Sequence, residues 1–141
     1  MASPDRSTAD VCVIVPTYNR AHFLGEAIES ILDQTRPPAE VIVVDDGSTD
    51  KTSEVAKSYG DRIRYIRKEN GGKPAAVNLA LSLAQSDYVI IADDDDIMYP
   101  SALAHLLAPL ERDSRLDFAN GGLSYFGKIK ATGKTLAAAL T

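Results

Sequence analysis

Residues 88–96 read YVIIADDDD, so that a β-branched apolar run passes directly into four adjacent carboxylates. A short apolar run of this kind is typical of a strand that is buried on both faces of a parallel sheet. The runs at residues 11–15 and 41–44 are equally apolar, and they too lead into polar residues, at 16–20 and 45–48. The sequence therefore predicts three buried strands, each followed by a polar loop.

Helical patterns separate these strands. The predicted helices cover residues 23–32, about 50–59, 74–84 and 100–110, with Ser48 or Asp50 as the N-cap of the second and Pro100 in the first turn of the last. Residues 62–66 alternate between polar and apolar, which is typical of a strand nearer the sheet edge. Strands that alternate with helices indicate βαβ units. The predicted fold class is α/β, with a mostly parallel sheet and helices on both of its faces.

The composition is that of a globular domain. The chain has 141 residues, of which 45% are hydrophobic and 25% are charged, and its single cysteine, Cys12, lies in the first predicted strand. These values exclude collagen-like, disulfide-rich and disordered chains. No apolar run reaches the ~18–20 residues that are needed to cross a bilayer. We therefore expect a soluble, cytoplasmic protein, with membrane association left open for a longer parent protein.

The acidic charge is concentrated in one place. The formal net charge is −5, from 20 acidic and 15 basic residues, and the acidic tetrad Asp93, Asp94, Asp95 and Asp96 supplies four of the acids. This distribution does not fit a nucleic-acid-binding surface, which needs a basic patch. Two carboxylates about 4 Å apart repel each other by ~1 kcal/mol in water and ~4 kcal/mol at an effective dielectric constant near 20.

A divalent cation would relieve that repulsion. Mg²⁺ and Mn²⁺ prefer carboxylate and phosphate oxygens, so the acidic tetrad predicts a metal or phosphate site. In an extended segment Asp93 and Asp95 would share one face, and Asp94 and Asp96 the other. The alternative is a solvated acidic turn that caps the following helix.

The three polar loops are expected to meet, because ligands of parallel α/β sheets bind at the carboxyl ends of the strands. Asp45 and Asp46 are either residues of a simple turn or acceptors for a base N–H or a ribose hydroxyl. Tyr18 follows a strand end, where its ring either stacks on a base or packs against the next helix.

Several segments in register resemble family 2 glycosyltransferases. They are VIVPTYNR at residues 13–20, VVDDGSTD at 43–50, ENGG at 69–72, and the acidic tetrad with Pro100. The resemblance covers about residues 10–112. It implies the GT-A fold, a Rossmann-like sheet that binds a nucleotide-diphosphate sugar, most commonly a UDP-sugar, with Mn²⁺ or Mg²⁺. The implied reaction is inverting transfer of the sugar to an acceptor hydroxyl.

The same resemblance implies roles for individual residues. Pro16 and Tyr18 would line the base pocket, and Asp46 would accept a hydrogen bond from the base. Asp93, Asp94 and Asp95 would form the D-x-D motif, with Asp96 behind it. The residues implied to bind the nucleotide are Pro16, Thr17, Tyr18, Asn19, Asp45, Asp46, Gly47, Lys73, Asp93 and Asp94, and the implied metal ligands are Asp93 and Asp95.

The catalytic base is not identified by the sequence. Family members take the base and the acceptor site from their carboxyl-terminal half, whereas this chain has no acid beyond Asp117. We expect a leader at residues 1–10, a donor-binding core at 11–117 and an incomplete continuation at 118–141, as in a truncated or fragmentary enzyme. That continuation is predicted to form a strand or hairpin near residues 121–129 and a short helix after Gly133.

The sequence also bears on the oligomeric state and on other function classes. A sheet cut in mid-fold would leave a bare edge, which favours a homo-oligomer formed through that edge. The acceptor, whether a saccharide, a lipid or a protein, is not indicated. A noncatalytic nucleotide-binding fragment is one alternative function. A Mg²⁺-dependent phospho-acceptor domain is a weaker one, because that class needs its acid pair after the first strand, where this chain has Pro16 and Thr17.

Overall fold

The computed structural model describes residues 9–122, 124–125 and 138–139. The chain order of its elements is β1 (Val11–Thr17), α1 (Ala21–Leu32), β2 (Glu40–Asp45), α2 (Thr52–Lys57), a 3₁₀ turn (Gly60–Arg62), β3 (Arg64–Arg67), α3 (Lys73–Leu83), β4 (Tyr88–Ile91), α4 (Ala102–Arg112), β5 (Ser124–Tyr125) and β6 (Ala138–Ala139).

In the described part of the chain, β1 to β4 form a parallel sheet in the order β3-β2-β1-β4. β1 and β2 lie in the middle and are almost wholly buried, because β-branched residues on both faces of each strand meet a packed layer. Val13, at the centre of β1, is paired with Val41 on one side and Ile90 on the other. The predicted α/β fold with a parallel sheet is confirmed.

Alternate residues of each strand enter two separate apolar cores. Val13, Val15 and Val43 face the core that α1, α2 and α4 cover. Ile14 and Ile42 face the opposite core, against Ala76 and Ala80 of α3. Cys12 also lies in this second core with no exposed surface. The period of two in the strands therefore places helices on both faces of the sheet.

The prediction that the strand at residues 88–92 is buried on both faces is wrong. Val89 and Ile91 are 44% and 47% exposed, and β4 is an edge strand of the sheet among the residues described. Both side chains share a face with Cys12 and Ile14, on which α3 packs across β1 and β2 rather than across β4. The apolar run predicted the strand correctly, but not what covers it.

Several helix boundaries also differ from the prediction. The second helix is only Thr52–Lys57, and Asp50 accepts hydrogen bonds from the N–H (2.9 Å) and hydroxyl (2.5 Å) of Thr52 at its start. The last helix begins at Ala102, so Pro100 precedes it. Buried Gln34 is hydrogen-bonded to both sides of this helix start: its Nε2 donates to the Tyr99 carbonyl (2.7 Å), and its Oε1 accepts the Leu103 N–H (3.0 Å).

The ends of the described chain bear on the predicted leader and continuation. Ala9 is buried and the Asp10 N–H donates to Asp87 Oδ2 at 3.0 Å, so the last two residues of the predicted leader contact the fold. β5 pairs with β6 in an antiparallel ladder. A strand was predicted at the position of β5. A helix was predicted after Gly133, and at Ala138–Ala139 that prediction is wrong, because these residues form β6. The rest of both predicted segments lies outside the described residues.

The predicted division into leader, core and continuation stays a prediction. No helix within the described ranges is long and apolar enough to cross a membrane.

Candidate functional site

A cleft of about 470 Å³ lies at the carboxyl ends of the parallel strands. It opens where the chain leaves β1 and β4, which are neighbours on the side of β1 away from β2. Ligands of open α/β sheets bind at such points, because the loops diverge there. Its volume is in the range of sites for small molecules.

The cleft gathers most of the residues that the sequence singled out. Those that line it are Pro16, Thr17, Tyr18, Asp46, Lys73, Asp93, Asp94 and Asp95. Asn19, Asp45 and Gly47 do not line it, although each is adjacent in sequence to a residue that does. Four lining residues had no role assigned from the sequence, namely Arg20, Asn70, Gly72 and Ala76.

Asp45 is wholly buried behind the cleft. Its Oδ1 accepts the N–H of Ser48 at 2.8 Å, and its Oδ2 accepts the Tyr65 hydroxyl at 2.6 Å. Arg67 Nη1 lies 3.4 Å from the same Oδ2. The burial of Tyr65 and its hydrogen bond to this carboxylate raise the pKa of Tyr65. Asp45 therefore ties the loop after β2 to β3.

Asp46 is 4% exposed and holds the loop between β3 and α3. Its Oδ1 accepts hydrogen bonds from Lys68 Nζ (2.8 Å) and the Gly71 N–H (2.9 Å). Its Oδ2 accepts the Gly72 N–H at 2.8 Å and, more weakly, Asn70 Nδ2 at 3.4 Å. A carboxylate offers about four acceptor positions, so those of Asp46 are filled.

These contacts decide the charge state of Asp46. Burial alone favours the protonated acid, but the Lys68 ammonium and the N–H groups of Gly71 and Gly72 outweigh it and hold the pKa of Asp46 below its ordinary value. Sequence reasoning missed Lys68, although its place directly after the β3 run puts a cation beside the acidic end of β2.

Glycines let the two loops approach each other. Gly47 has φ +83°, and a Cβ there would lie 3.0 Å from the Asn70 backbone nitrogen. Gly72 has φ +94°, a backbone conformation in which a residue with a side chain would be strained. Gly47 was expected to contact a nucleotide, whereas its visible role is to permit this close packing.

The acidic tetrad forms a turn rather than the extended segment we expected. The Asp96 N–H donates to the Asp93 carbonyl at 3.2 Å, which closes the turn. Three consecutive carboxylates, Asp93, Asp94 and Asp95, consequently face the cleft, and Asp96 does not line it. The predicted alternation of faces is therefore wrong.

The members of the tetrad differ in their partners. Asp93 forms an ion pair with Lys73, and this hydrogen-bonded contact raises the pKa of Lys73. Asp94 lies 3.9 Å from Arg20 Nε. Asp95 makes no hydrogen bond or ion pair with any residue that the structure describes.

The Asp94 side chain is more buried than that of Asp93. This burial raises the pKa of Asp94, although the nearby charge of Arg20 acts to lower it. The Thr17 hydroxyl is buried and has no partner of good hydrogen-bond geometry within the described segments. It nevertheless lies close enough to Asp94 to favour the charged carboxylate. Burial, together with the charges of Asp93 and Asp95, likewise raises the pKa of Asp96.

The tetrad fits a cation that a ligand helps to hold. Across the described ranges, no three His, Cys, Asp or Glu side chains converge closely enough to bind a metal by themselves. Asp93 and Asp95 nevertheless present hard oxygen donors to an open cleft. Mg²⁺ is typically bound in this way, by one or two carboxylates together with substrate phosphates.

Comparison with known proteins gives the family of this chain. Residues 12–136 match the family model "Glycosyl transferase family 2". An uncharacterized glycosyltransferase of Rickettsia typhi is 43% identical over 102 residues, which is 72% of this chain and 32% of the relative. The chain therefore spans about a third of the length of that relative.

Solved structures show the same fold. S. aureus TarS 1-349 in complex with UDP-GlcNAc superposes with a TM-score of 0.62 at 33% identity, over 68% of this chain and 29% of that TarS 1-349 chain. The mannosyltransferase PcManGT from Pyrobaculum calidifontis, in complex with GDP-Man and Mn²⁺, gives 0.58 at 34% identity, over 71% of this chain and 31% of the enzyme. The expected Rossmann-like GT-A fold is confirmed. The chain belongs to glycosyl transferase family 2.

Proposed function

We propose that the cleft is the donor site of an inverting hexosyltransferase and binds a nucleotide-diphosphate sugar, preferably a UDP-sugar, together with Mn²⁺ or Mg²⁺. The observation that carries this proposal is the union of three features in one cleft: the half-exposed ring of Tyr18, the acceptor Asp46 and the unpaired carboxylate of Asp95. An aromatic face, a hydrogen-bond acceptor and hard oxygen donors match a base, its polar edge and a metal-bound diphosphate.

The base would bind at the β1 side of the cleft. Tyr18 is 47% exposed, so its ring is free to stack on a base, with Pro16 and Thr17 beside it. Asp46 would accept the base N–H through Oδ2, where its weakest partner, Asn70 Nδ2, lies at 3.4 Å. The base would thus displace Asn70 while the bonds from Gly71 and Gly72 persist.

The diphosphate would bind at the β4 side. Asp95 would ligate the cation directly, and Asp93 would contribute an oxygen or meet the ribose. A bound cation supplies positive charge to the diphosphate oxygens as the bond to the sugar breaks. Lys73, which now pairs with Asp93, would donate hydrogen bonds to the same phosphates.

The acceptor half of the reaction is not assigned. Inversion requires a base that removes the acceptor proton on the face opposite the leaving diphosphate. Residues 118–141 contain no Asp or Glu, and in this proposal the carboxylates that line the cleft would bind the donor and its cation. We expect this chain alone to bind the donor and to transfer sugar weakly or not at all.

The relatives support the donor class. UDP-GlcNAc is bound in the TarS 1-349 complex, and GDP-Man with Mn²⁺ is bound in the PcManGT complex. They agree on a nucleotide-diphosphate sugar and differ in the base.

Calorimetric titration with UDP-, GDP-, CDP- and dTDP-sugars in the presence of Mn²⁺ tests the proposal. We expect measurable binding, tightest for a UDP-sugar. Tighter binding of another nucleotide would correct the base assignment only. Failure of every nucleotide to bind, with the protein shown to be folded by circular dichroism, would overturn the proposed function.

A further inference from the structure

The loop after β1 and the loop after β2 are held together by hydrogen bonds around Asn19. Three successive backbone N–H groups, at the end of the first loop and the start of α1, donate to side chains of the second loop and of the start of α2. The N–H of Asn19 donates to Ser48 Oγ (2.9 Å), that of Arg20 to Thr52 Oγ1 (3.0 Å), and that of Ala21 to Asp50 Oδ2 (3.3 Å). We call this set of contacts the loop clamp.

The Asn19 side chain completes the loop clamp in the other direction. Its Oδ1 accepts the N–H of Thr49 at 2.8 Å and the N–H of Asp50 at 3.3 Å. Asn19 also has φ +51°, a left-handed conformation that asparagine tolerates better than most residues. The local backbone and the side chain therefore both favour asparagine at this position.

The loop clamp is anchored in the buried part of the fold. Ser48 is 3% exposed, and its N–H donates to the wholly buried Asp45. Thr52 has no exposed surface, and its hydroxyl donates to Asp50. The second loop is thus a fixed support, and the first loop is attached to it.

The first loop carries two residues of the cleft. Tyr18 and Arg20 flank Asn19 and line the cleft, whereas Asn19 does not. Among the described residues, the Tyr18 side chain has no hydrogen bond, and the polar end of the Arg20 side chain has only its 3.9 Å contact with Asp94. Because these polar contacts are weak, the positions of both side chains depend on their backbone, which the loop clamp holds together with the interaction of the Tyr18 N–H with Asp94.

We propose that Asn19 is a positioning residue for nucleotide binding: through the loop clamp it fixes the backbone from which Tyr18 and Arg20 enter the cleft, without touching the ligand. This inference rests on the proposed function. It replaces the direct nucleotide contact that the resemblance implied for Asn19.

The test is a double-mutant cycle on UDP affinity, measured by calorimetry with Mn²⁺. Asn19→Gly keeps the positive φ accessible and removes the acceptor. We expect it to weaken UDP binding about tenfold, as the loss of well-formed hydrogen bonds would. Asn19→Asp keeps an acceptor oxygen and should restore affinity to within about threefold of wild type.

The cycle is closed by Tyr18→Ala and the double variant. If Asn19 acts through Tyr18, Tyr18→Ala should cost clearly less affinity in the Asn19→Gly background than in wild type, because interacting sites are not additive. Ile31→Val, which trims a core residue that does not line the cleft, controls for lost stability and should leave UDP affinity unchanged. Asn120→Gly is the matched asparagine control on the exposed surface.

The outcomes separate this inference from the proposed function. Wild-type affinity in Asn19→Gly would overturn it, as would full additivity with Tyr18→Ala or an equal loss in Ile31→Val. Absence of UDP binding by the wild-type chain would overturn it together with the uracil assignment, and absence of binding to every nucleotide would overturn the proposed function itself.

Discussion

Two acidic strand ends of this protein look alike in sequence and differ in structure. Asp45 and Asp46 at the end of β2 are buried, and their carboxylates are surrounded by donors from β3 and the loop before α3. The tetrad after β4 is partly exposed, and Asp95 has no hydrogen bond or ion pair within the part of the chain that the structure describes. The first pair organises the fold, and the second presents unneutralised charge to the cleft.

Electrostatics explains the difference. A buried carboxylate is tolerated only when it is paired and hydrogen-bonded, so the end of β2 needs Lys68 and the glycine N–H groups. At the end of β4, Lys73 and Arg20 are the only cations among the described residues that form ion pairs with the acids, and both are about half exposed. The remaining charge is therefore available to a cation and its ligand.

The largest effect is expected from Asp46→Ala. It would leave Lys68 and the N–H groups of Gly71 and Gly72 without their acceptor, and we expect it to lower the free energy of unfolding by about 3 kcal/mol. Urea denaturation measures this loss. Asp61→Ala, which removes an exposed acid, should stay within about 0.5 kcal/mol of wild type. Equal stability of the two variants would mean that Asp46 does not organise the loop.

Asp95→Ala should behave in the opposite way. Because Asp95 makes no hydrogen bond or ion pair with a described residue and interacts with Lys73 only through its charge, its removal should leave the free energy of unfolding within about 0.5 kcal/mol of wild type. Loss of a charged ligand should weaken Mn²⁺-dependent UDP binding about 100-fold. Asp117→Ala is the control in an exposed acid outside the cleft. A stability loss as large as that of Asp46→Ala would erase the contrast between the two strand ends.

Replacement of two glycines tests how closely the loop after β2 packs against the loop before α3. Gly47→Ala places a Cβ 3.0 Å from the Asn70 backbone in a left-handed conformation, and we expect a loss of about 2 kcal/mol. Gly60→Ala has similar strain but no atom within 4 Å of the new Cβ, and it should cost about 1 kcal/mol. Thermal denaturation measures both. The reverse order would contradict the close packing of the two loops.

The pH dependence of stability is the smallest expected difference. The pKa of Asp46 is lowered from its ordinary 3.8 in the folded state, so its contribution is fully present above pH 3.8 and is lost as the pH falls through the folded value. Unfolding followed from pH 6 to pH 2.5 should therefore show a shallower acid-induced loss in Asp46→Asn than in wild type. Parallel curves would show that Asp46 does not carry this dependence.

The sequence predicts the centre of this fold better than its periphery. β1 and β2 are continuous runs of mostly β-branched residues. Such a run is typical of a strand that is buried on both faces of a sheet. The exposure of Val89 and Ile91 was not predictable, because the same signal does not say which face α3 covers. The helix predicted after Gly133 rested on composition alone, and composition did not indicate the strand Ala138–Ala139.

The site was predictable in its location and less so in its contacts. Strand ends bring Tyr18, Asp46 and Asp93 to one cleft, as parallel topology requires. The hydrogen bond from Lys68 to Asp46 joins residues 22 positions apart. Predicting it requires knowledge that β3 lies beside β2, which no local sequence pattern indicates. The orientation of Asn19 follows from its positive φ, which its sequence neighbours do not reveal.

Metal dependence of nucleotide binding is the most direct test of whether the acidic tetrad holds a cation that the nucleotide shares. UDP is titrated into the wild-type chain by calorimetry in Mn²⁺, then in EDTA, and again after Mn²⁺ is restored. We predict binding that disappears in EDTA and returns with the metal, because the unpaired carboxylate of Asp95 and the diphosphate need a shared cation. Binding of unchanged affinity in EDTA would contradict the claim that the acidic tetrad holds that cation.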